Sequence, residues 1–78
     1  MEKDLKSDIN IGQIGVGYWG PNLLRNLIEN KNCVVENVID ISKQRREFLK
    51  NSHNELKVSD NINDVIMNEN IDAVVIST

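Results

Sequence analysis

One glycine-rich stretch decides the fold: Gly15-Val16-Gly17-Tyr18-Trp19-Gly20. It follows an apolar, β-prone run at residues 9–14 and precedes a helical pattern at residues 21–29. The order is therefore strand, glycine turn and helix, which is the context in which G-x-G-x-x-G spacing predicts a dinucleotide-binding loop. The alternative interpretation is a glycine-rich turn that binds no ligand.

Each residue of this loop has an expected role. Gly15 permits the tight turn out of the strand, Gly17 lets a pyrophosphate approach the backbone, and Gly20 lets the helix pack close to the strand. Unpaired N–H groups at the helix start then face the phosphates. For Tyr18 and Trp19 we expect the backbone N–H groups to matter more than the rings. The rings either wall the site or pack on the sheet edge.

An acidic residue at the end of the second strand is the next candidate. Asp40 follows Gly20 by twenty residues, and a carboxylate there can accept both hydroxyls of an adenosine ribose and repel a 2′-phosphate. It therefore favours NAD over NADP, although a solvated acid at a strand end is the alternative. Nearby Lys43, Arg45 and Arg46 complicate this choice, since a guanidinium can accept a 2′-phosphate or lie against adenine. We expect at least two of the three to lie on the solvated face of a helix.

Strand-like and helix-like segments alternate along the whole chain. Strands are predicted at residues 9–14, 34–39, 56–58 and 71–76, and helices at about 18–29, 43–50 and 61–67. Such alternation predicts parallel strands joined by right-handed crossovers. The predicted fold class is α/β, half of a doubly wound Rossmann fold with four parallel strands in the order 3-2-1-4 and three helices. The sheet changes its direction of growth between strands 1 and 4, where such sheets bind ligands. Ser77 and Thr78 end strand 4 there, so they either contact the cofactor near its nicotinamide ribose or only terminate the strand.

Helical spacing predicts which apolar side chains face the core. The predicted buried residues are Leu24, Leu27 and Ile28 on the first helix, Phe48 and Leu49 on the second, and Ile62, Val65 and Ile66 on the third. The i, i+3, i+4 spacing in the first and third sets supports this prediction. Ser42 is predicted to cap the second helix, and Ser59 or Asp60 the third.

Size and charge limit the possible partners. The chain has 78 residues, a net charge of −3 and 40% hydrophobic residues, which suits one small folded unit that binds neither nucleic acid nor a membrane surface. The single cysteine, Cys33, allows no internal disulfide and favours a reducing cytoplasm. His53 has no partner nearby in the sequence, so we interpret it as a solvated side chain, and no metal site is predicted.

The segment boundaries predict an incomplete fold. Residues 1–8 are charged and are expected to form a flexible tail, whereas residues 9–78 form the N-terminal part of a dinucleotide-binding domain, truncated after strand 4. A complete dinucleotide fold has two such halves. Strand 4 is then a bare edge through which self-association is possible.

The run from Ile14 to Asn26, with Tyr18-Trp19-Gly20-Pro21-Asn22 at its centre, resembles the opening of the Gfo/Idh/MocA oxidoreductases. The segments 38–40 and 71–78 also resemble the second and fourth strands of that family. The resemblance covers nearly all of the chain after residue 8, but only the cofactor half of the family. It implies an NAD(P)-dependent dehydrogenase that transfers hydride between nicotinamide and a secondary hydroxyl of a sugar, cyclitol or nucleotide sugar.

The resemblance also assigns residues. Gly15, Gly17, Tyr18, Trp19 and Gly20 match the pyrophosphate loop, Asp40 the ribose-binding acid, and Ser77 with Thr78 the loop under the nicotinamide ribose. The family usually follows that threonine with proline and later carries a Glu-Lys-Pro motif, neither of which occurs here. The catalytic residue, the substrate domain and the oligomerising sheet would lie beyond Thr78, so no catalytic residue is assigned.

Three functional hypotheses stay open from the sequence. The chain is the NAD-binding half of an oxidoreductase, a non-catalytic module that senses a nucleotide, or a truncated product that binds poorly. A methyltransferase is a weaker alternative, because its G-x-G-x-G would need glycine where Trp19 stands. An FAD enzyme would share the loop, but the family resemblance speaks against it.

Overall fold

A computed structural model describes residues 8–17 and 20–77 of the chain. The elements are β1 (Ile9–Ile14), α1 (Gly20–Glu29), β2 (Cys33–Ile39), α2 (Lys43–Ser52), β3 (Lys57–Ser59), α3 (Asn63–Ile66) and β4 (Ala73–Ile76). All strand pairs are parallel and the sheet order is β3-β2-β1-β4. The predicted fold class and strand order are therefore confirmed. The tail prediction for residues 1–7 lies outside the described residues.

The central strand β1 pairs with β2 on one side and β4 on the other, and its register with β2 shifts once. Ile11 lies opposite Val35, but the next residue, Gly12, lies opposite Asn37, so Glu36 has no partner on β1. An extra residue of this kind reverses the alternation of side chains along a strand. Val35 consequently packs against the buried core.

The core on the face covered by α1 and α2 is built from four fully buried side chains. They are Val16, Leu24, Val38 and Leu49, and the half-buried Ile28, Val35, Leu56 and Val58 pack against them. Burial of Leu24 and Leu49 was predicted from helical spacing and is confirmed. The prediction for Phe48 is wrong, because this side chain is 60% exposed. It borders a surface groove between α1 and α2 instead of entering the core.

On the opposite face, α3 contributes one buried side chain. Val65 is 2% exposed, whereas Ile62 and Ile66 are 44% and 62% exposed, so their predicted burial is wrong. A helix of four residues makes one turn, and only the side chain that points at the sheet is covered. Val65 packs directly over β1, where a Cβ on Gly12 would lie 2.7 Å from the Cγ1 atom of Val65.

The two predicted helix caps have different outcomes. Ser42 caps α2 as predicted, since its Oγ accepts a hydrogen bond from the Arg45 backbone N–H at 3.3 Å. The predicted cap of α3 by Ser59 or Asp60 is wrong, because the residue at the cap position is Ile62, which makes no side-chain cap bond. The first helical N–H, of Asn63, donates instead to Oδ1 of Asn61 at 3.0 Å. The helix begins two residues later than predicted, and Ser59 contacts its first turn through a hydrogen bond that its Oγ donates to Oδ2 of Asp64 at 2.6 Å, which is not a cap of a backbone N–H.

Candidate functional site

The carboxyl ends of β1, β2 and β4 meet at one edge of the sheet and border a cleft of about 380 Å³. Its lining comes from all three strand ends and includes Gly15, Gly17, Asp40, Arg45 and Ser77. Residues that are distant in the sequence are thus brought together at the point where the sheet changes its direction of growth. Four of the eight predicted site residues, Gly15, Gly17, Asp40 and Ser77, line this cleft.

The turn after β1 depends on two glycines. Gly15 has φ 84° and Gly17 has φ 56°, which is the left-handed region that side chains with a Cβ adopt only at a cost. The Gly15 N–H donates to the carbonyl oxygen of Ile39 at 2.7 Å, which holds the turn against the end of β2. Val16, between the two glycines, is buried in the core and anchors the turn there.

The helix after the turn begins where the motif requires. Gly20 is the first residue of α1, and Pro21 lies in the first turn, where its missing N–H removes no helical hydrogen bond. Tyr18, Trp19 and Thr78 lie outside the described residues, so their predicted roles stay predictions.

Asp40 is more constrained than its sequence position suggested. The residue is 7% exposed, and its Oδ2 accepts a hydrogen bond from the Val16 backbone N–H at 2.9 Å. Its Oδ1 accepts one from the Ser42 backbone N–H at 2.8 Å. The carboxylate therefore joins the glycine turn to the turn between β2 and α2. Since an ionised carboxylate has about four acceptor positions, room for a ribose hydroxyl remains, and that role stays a prediction.

The three basic residues in the first turn of α2 point in different directions. Arg45 is exposed, lines the cleft and donates from Nη1 to the carbonyl oxygen of Gly17 at 2.9 Å. Arg46 donates from Nη1 to the backbone carbonyl oxygen of Asp40 at 2.9 Å. Lys43 forms a long, exposed ion pair with Glu47 at 4.0 Å, a contact of little energetic value. Of these three basic side chains, Arg45 is the one that borders the cleft.

Ser77 lies at the far side of the cleft, immediately after β4. Its backbone N–H donates to the carbonyl oxygen of Ile14 at 2.9 Å, so it is held beside the last residue of β1. The residue is half-buried. This position places Ser77 next to the beginning of the glycine turn, as the predicted strand order requires.

A second and larger groove, of about 590 Å³, runs between α1 and α2. It shares Val16, Ser42 and Arg45 with the cleft, and it is also bordered by Gln44 and Phe48. The groove lacks the strand ends and the two left-handed glycines, so we assign the site to the smaller cleft. Sequence reasoning missed this groove because it results from the packing of two helices that are not adjacent in the chain.

Two further classes of site find no support in the described part of the chain. Among residues 8–17 and 20–77, no group of three or more His, Cys, Asp or Glu side chains is arranged to hold a metal ion. Over the same residues, no helix has the length and apolar character needed to cross a bilayer.

Comparisons with known proteins agree with this geometry. The Gfo/Idh/MocA family model, described as an oxidoreductase family with an NAD-binding Rossmann fold, matches residues 9–78. A crystal structure of an NAD-binding protein from Listeria innocua superposes with a TM-score of 0.78 and 26% sequence identity. The match covers 92% of this chain and 21% of that one, so this chain spans about a fifth of its length. No curated protein sequence matches the chain.

Proposed function

The chain belongs to the Gfo/Idh/MocA oxidoreductase family through its NAD-binding Rossmann fold, and from this premise we propose that the cleft at the ends of β1, β2 and β4 holds NAD(P). The observation that carries the proposal is the turn with Gly15 and Gly17 in left-handed conformations, directly before α1. Such a turn leaves the backbone open to a pyrophosphate and directs a helix N-terminus at it.

Different residues of the cleft are assigned to different parts of the dinucleotide. We assign the pyrophosphate to the turn from Gly15 to Gly20, including the backbone of Tyr18 and Trp19. Asp40 is assigned to the adenosine ribose, and Ser77 with Thr78 to the nicotinamide ribose. When bound, the nicotinamide ring supplies the chemistry of hydride transfer, while these residues of the chain bind and orient the cofactor.

The proposed reaction follows from the resemblance to the family. We propose that residues 9–78 are the N-terminal part of a dinucleotide-binding domain in a larger dehydrogenase. That enzyme would transfer hydride to or from a secondary hydroxyl carbon of a sugar, cyclitol or nucleotide sugar. The 21% share of the Listeria innocua NAD-binding protein that the chain spans supports a larger protein. A cytoplasmic location stays a prediction from the single cysteine.

The cofactor assignment is tested with a glycine substitution that preserves the turn. Asparagine tolerates the left-handed conformation better than other residues with a side chain, so Gly17→Asn keeps the φ of 56° and adds atoms facing the pyrophosphate. We expect the chain to bind NAD in titration calorimetry and Gly17→Asn to weaken binding about tenfold or more, the cost of displacing about one good phosphate contact.

The matched control is Ser52→Asn, an exposed position at the end of α2, which should bind NAD as the unaltered chain does. Circular dichroism establishes that both variants are folded. If the folded, unaltered chain bound no NAD at millimolar concentration, the proposal would be contradicted.

Self-association through β4 is a separate proposal. Ala73–Ile76 is an uncharged edge strand that pairs with β1, and its Val74 and Ile76 are 46% and 68% exposed. Uncharged, apolar edges are prone to pair with another chain. We expect the molar mass from light scattering to rise with concentration, and Val74→Lys to shift it toward the monomer. A monomer at all concentrations would refute this proposal.

A further inference from the structure

We propose that Gln13 is a positioning residue for the cofactor: its side-chain amide holds the peptide unit between Gly15 and Val16 in the orientation in which the glycine turn binds the diphosphate. The inference deepens the proposed dinucleotide function and rests on it. It gives a part in cofactor binding to a residue of β1 that does not line the cleft.

Gln13 is a fully buried polar residue of the central strand. It is 0% exposed, and its neighbours on the same face of the sheet, Ile11 and the opposite residue Val38, are buried and apolar. A Cβ on Gly12 would meet Val65 of α3, so the next side chain along the strand points to the other face, which α1 and α2 cover. Burial of a polar group costs free energy unless the group is hydrogen-bonded. The hydrogen bond of Gln13 therefore indicates what glutamine does at this position.

The side chain of Gln13 reaches the glycine turn. Its Nε2 donates to the carbonyl oxygen of Gly15 at 3.1 Å. The N–H of the same peptide unit, that of Val16, donates to Oδ2 of Asp40 at 2.9 Å. A peptide unit is planar and trans, so its carbonyl and its N–H point in opposite directions. Two side chains, one from β1 and one from the end of β2, thus hold the two ends of one peptide.

The peptide after Gly15 needs this support because glycine permits many backbone orientations. Gly15 has φ 84°, and a residue without a Cβ loses more conformational freedom on folding than any other. Rotation of this peptide would displace Gly17, which lines the cleft. A turn that is already held in its binding conformation does not have to be ordered by the ligand, and this raises affinity. Gln13 acts in this way on the diphosphate without touching it.

The test removes the hydrogen-bond donor and keeps the length of the side chain. Methionine is unbranched and adaptable in a core but cannot donate, so the variant is Gln13→Met. The ¹⁵N-labelled full chain is titrated with ADP and with adenosine, two probes that differ by the diphosphate, and binding is followed by NMR. Ile28→Ala is the matched control, because Ile28 packs against the same core but borders the other end of β2, beside Cys33 and Val34.

We expect Gln13→Met to weaken ADP binding about fivefold or more, the loss of about one neutral hydrogen bond, and to change adenosine affinity by less than about twofold. Hydrogen exchange of the Val16 N–H should rise about fivefold or more relative to that of the Val38 N–H, because the turn opens locally while the sheet stays closed. Ile28→Ala should leave both ratios as they are in the unaltered chain.

A second measurement needs no variant, so it stands even if Gln13→Met does not fold. In the unaltered chain, the side-chain amide signals of Gln13 should shift when ADP is added and stay in place when adenosine is added. The N–H signal of Val16 should shift with them. Gln13 signals that do not move at saturating ADP would overturn the proposal.

The other failures are distinguishable from one another. If Gln13→Met binds ADP as tightly as the unaltered chain, the bond to Gly15 has no part in cofactor binding. If the variant weakens ADP and adenosine by the same factor, or if Ile28→Ala separates the two probes equally, Gln13 acts only through the general stability of the fold. If the unaltered chain binds neither probe, the proposed dinucleotide function fails, and the positioning proposal fails with it.

Discussion

Replacing Asp40 with alanine is expected to lower the free energy of unfolding by about 2–4 kcal/mol and to weaken NAD and NADP together. The reason is the pair of hydrogen bonds from the backbone N–H groups of Val16 and Ser42. A bond to a charged acceptor contributes about 1.5–3 kcal/mol, and a buried donor that loses its acceptor costs more than an exposed one. The hydrogen bond from Val16 is buried, so in the variant the Val16 N–H would lose its acceptor. The glycine turn would then lose the side chain that holds it in place.

The measurement is urea unfolding followed by circular dichroism, combined with NAD titration. Asp72→Ala is the matched control, because Asp72 also accepts a backbone N–H bond, from Asn10 at 2.8 Å, but at an exposed position. Its loss should cost about 0.5–1.5 kcal/mol and leave cofactor binding unchanged. Were Asp40→Ala as stable as the unaltered chain and impaired only in NAD binding, the carboxylate would be a ribose ligand without a structural role.

The second large effect is expected from Gly12→Ala in the middle of β1. The new Cβ would lie 2.7 Å from the Cγ1 atom of Val65 and 2.9 Å from the Cδ1 atom of Ile71. The end of an isoleucine side chain can move, but a valine is restricted at χ1 and cannot easily turn away. Overpacking of this kind costs about 1–3 kcal/mol, so we expect a destabilisation of that size.

A double-mutant cycle with Val65→Ala tests the cause. Val65→Ala alone removes two buried methyl groups and should cost about 1–3 kcal/mol. With Gly12→Ala present, the new methyl group occupies the vacated space, so the combined cost should fall short of the sum by about 1 kcal/mol or more. Val58→Ala is the control, because Val58 packs against the core on the α1 and α2 side. Additivity in the Gly12–Val65 pair would exclude the proposed contact.

The exposed side chains explain why the predictions of burial were only partly right. The spacing of Ile62, Val65 and Ile66 identified residues that share one side of a helix, yet a helical turn of four residues covers only Val65. Phe48 is adjacent to the buried Leu49, but it borders the groove between α1 and α2. Periodicity shows which side chains lie on the same side of one element. Whether they are buried depends on which other elements of the fold pack against that side.

The candidate site also has features that the sequence predicted and features that it did not. The glycine spacing predicted a turn at Gly15 and Gly17, and their left-handed conformations agree with it. The hydrogen bonds from the Val16 backbone N–H to the Asp40 carboxylate and from the Arg45 guanidinium to the Gly17 carbonyl oxygen were not predicted. They join segments that are 24 and 28 residues apart, and no local pattern encodes which oxygen will accept which N–H group.

By itself, the sequence determined the alternation of strands and helices and the glycine turn, because hydrophobic period and glycine conformation act over a few neighbouring residues. The strand order followed from the right-handed crossovers that this alternation predicts. Only the tertiary structure decided that Asp40 turns its charge toward the backbone while Arg45 presents its own at the cleft. The reason is that the approach of the β1 and β2 ends sets which donors and acceptors meet. The direction of each charge therefore depends on the packed sheet as a whole.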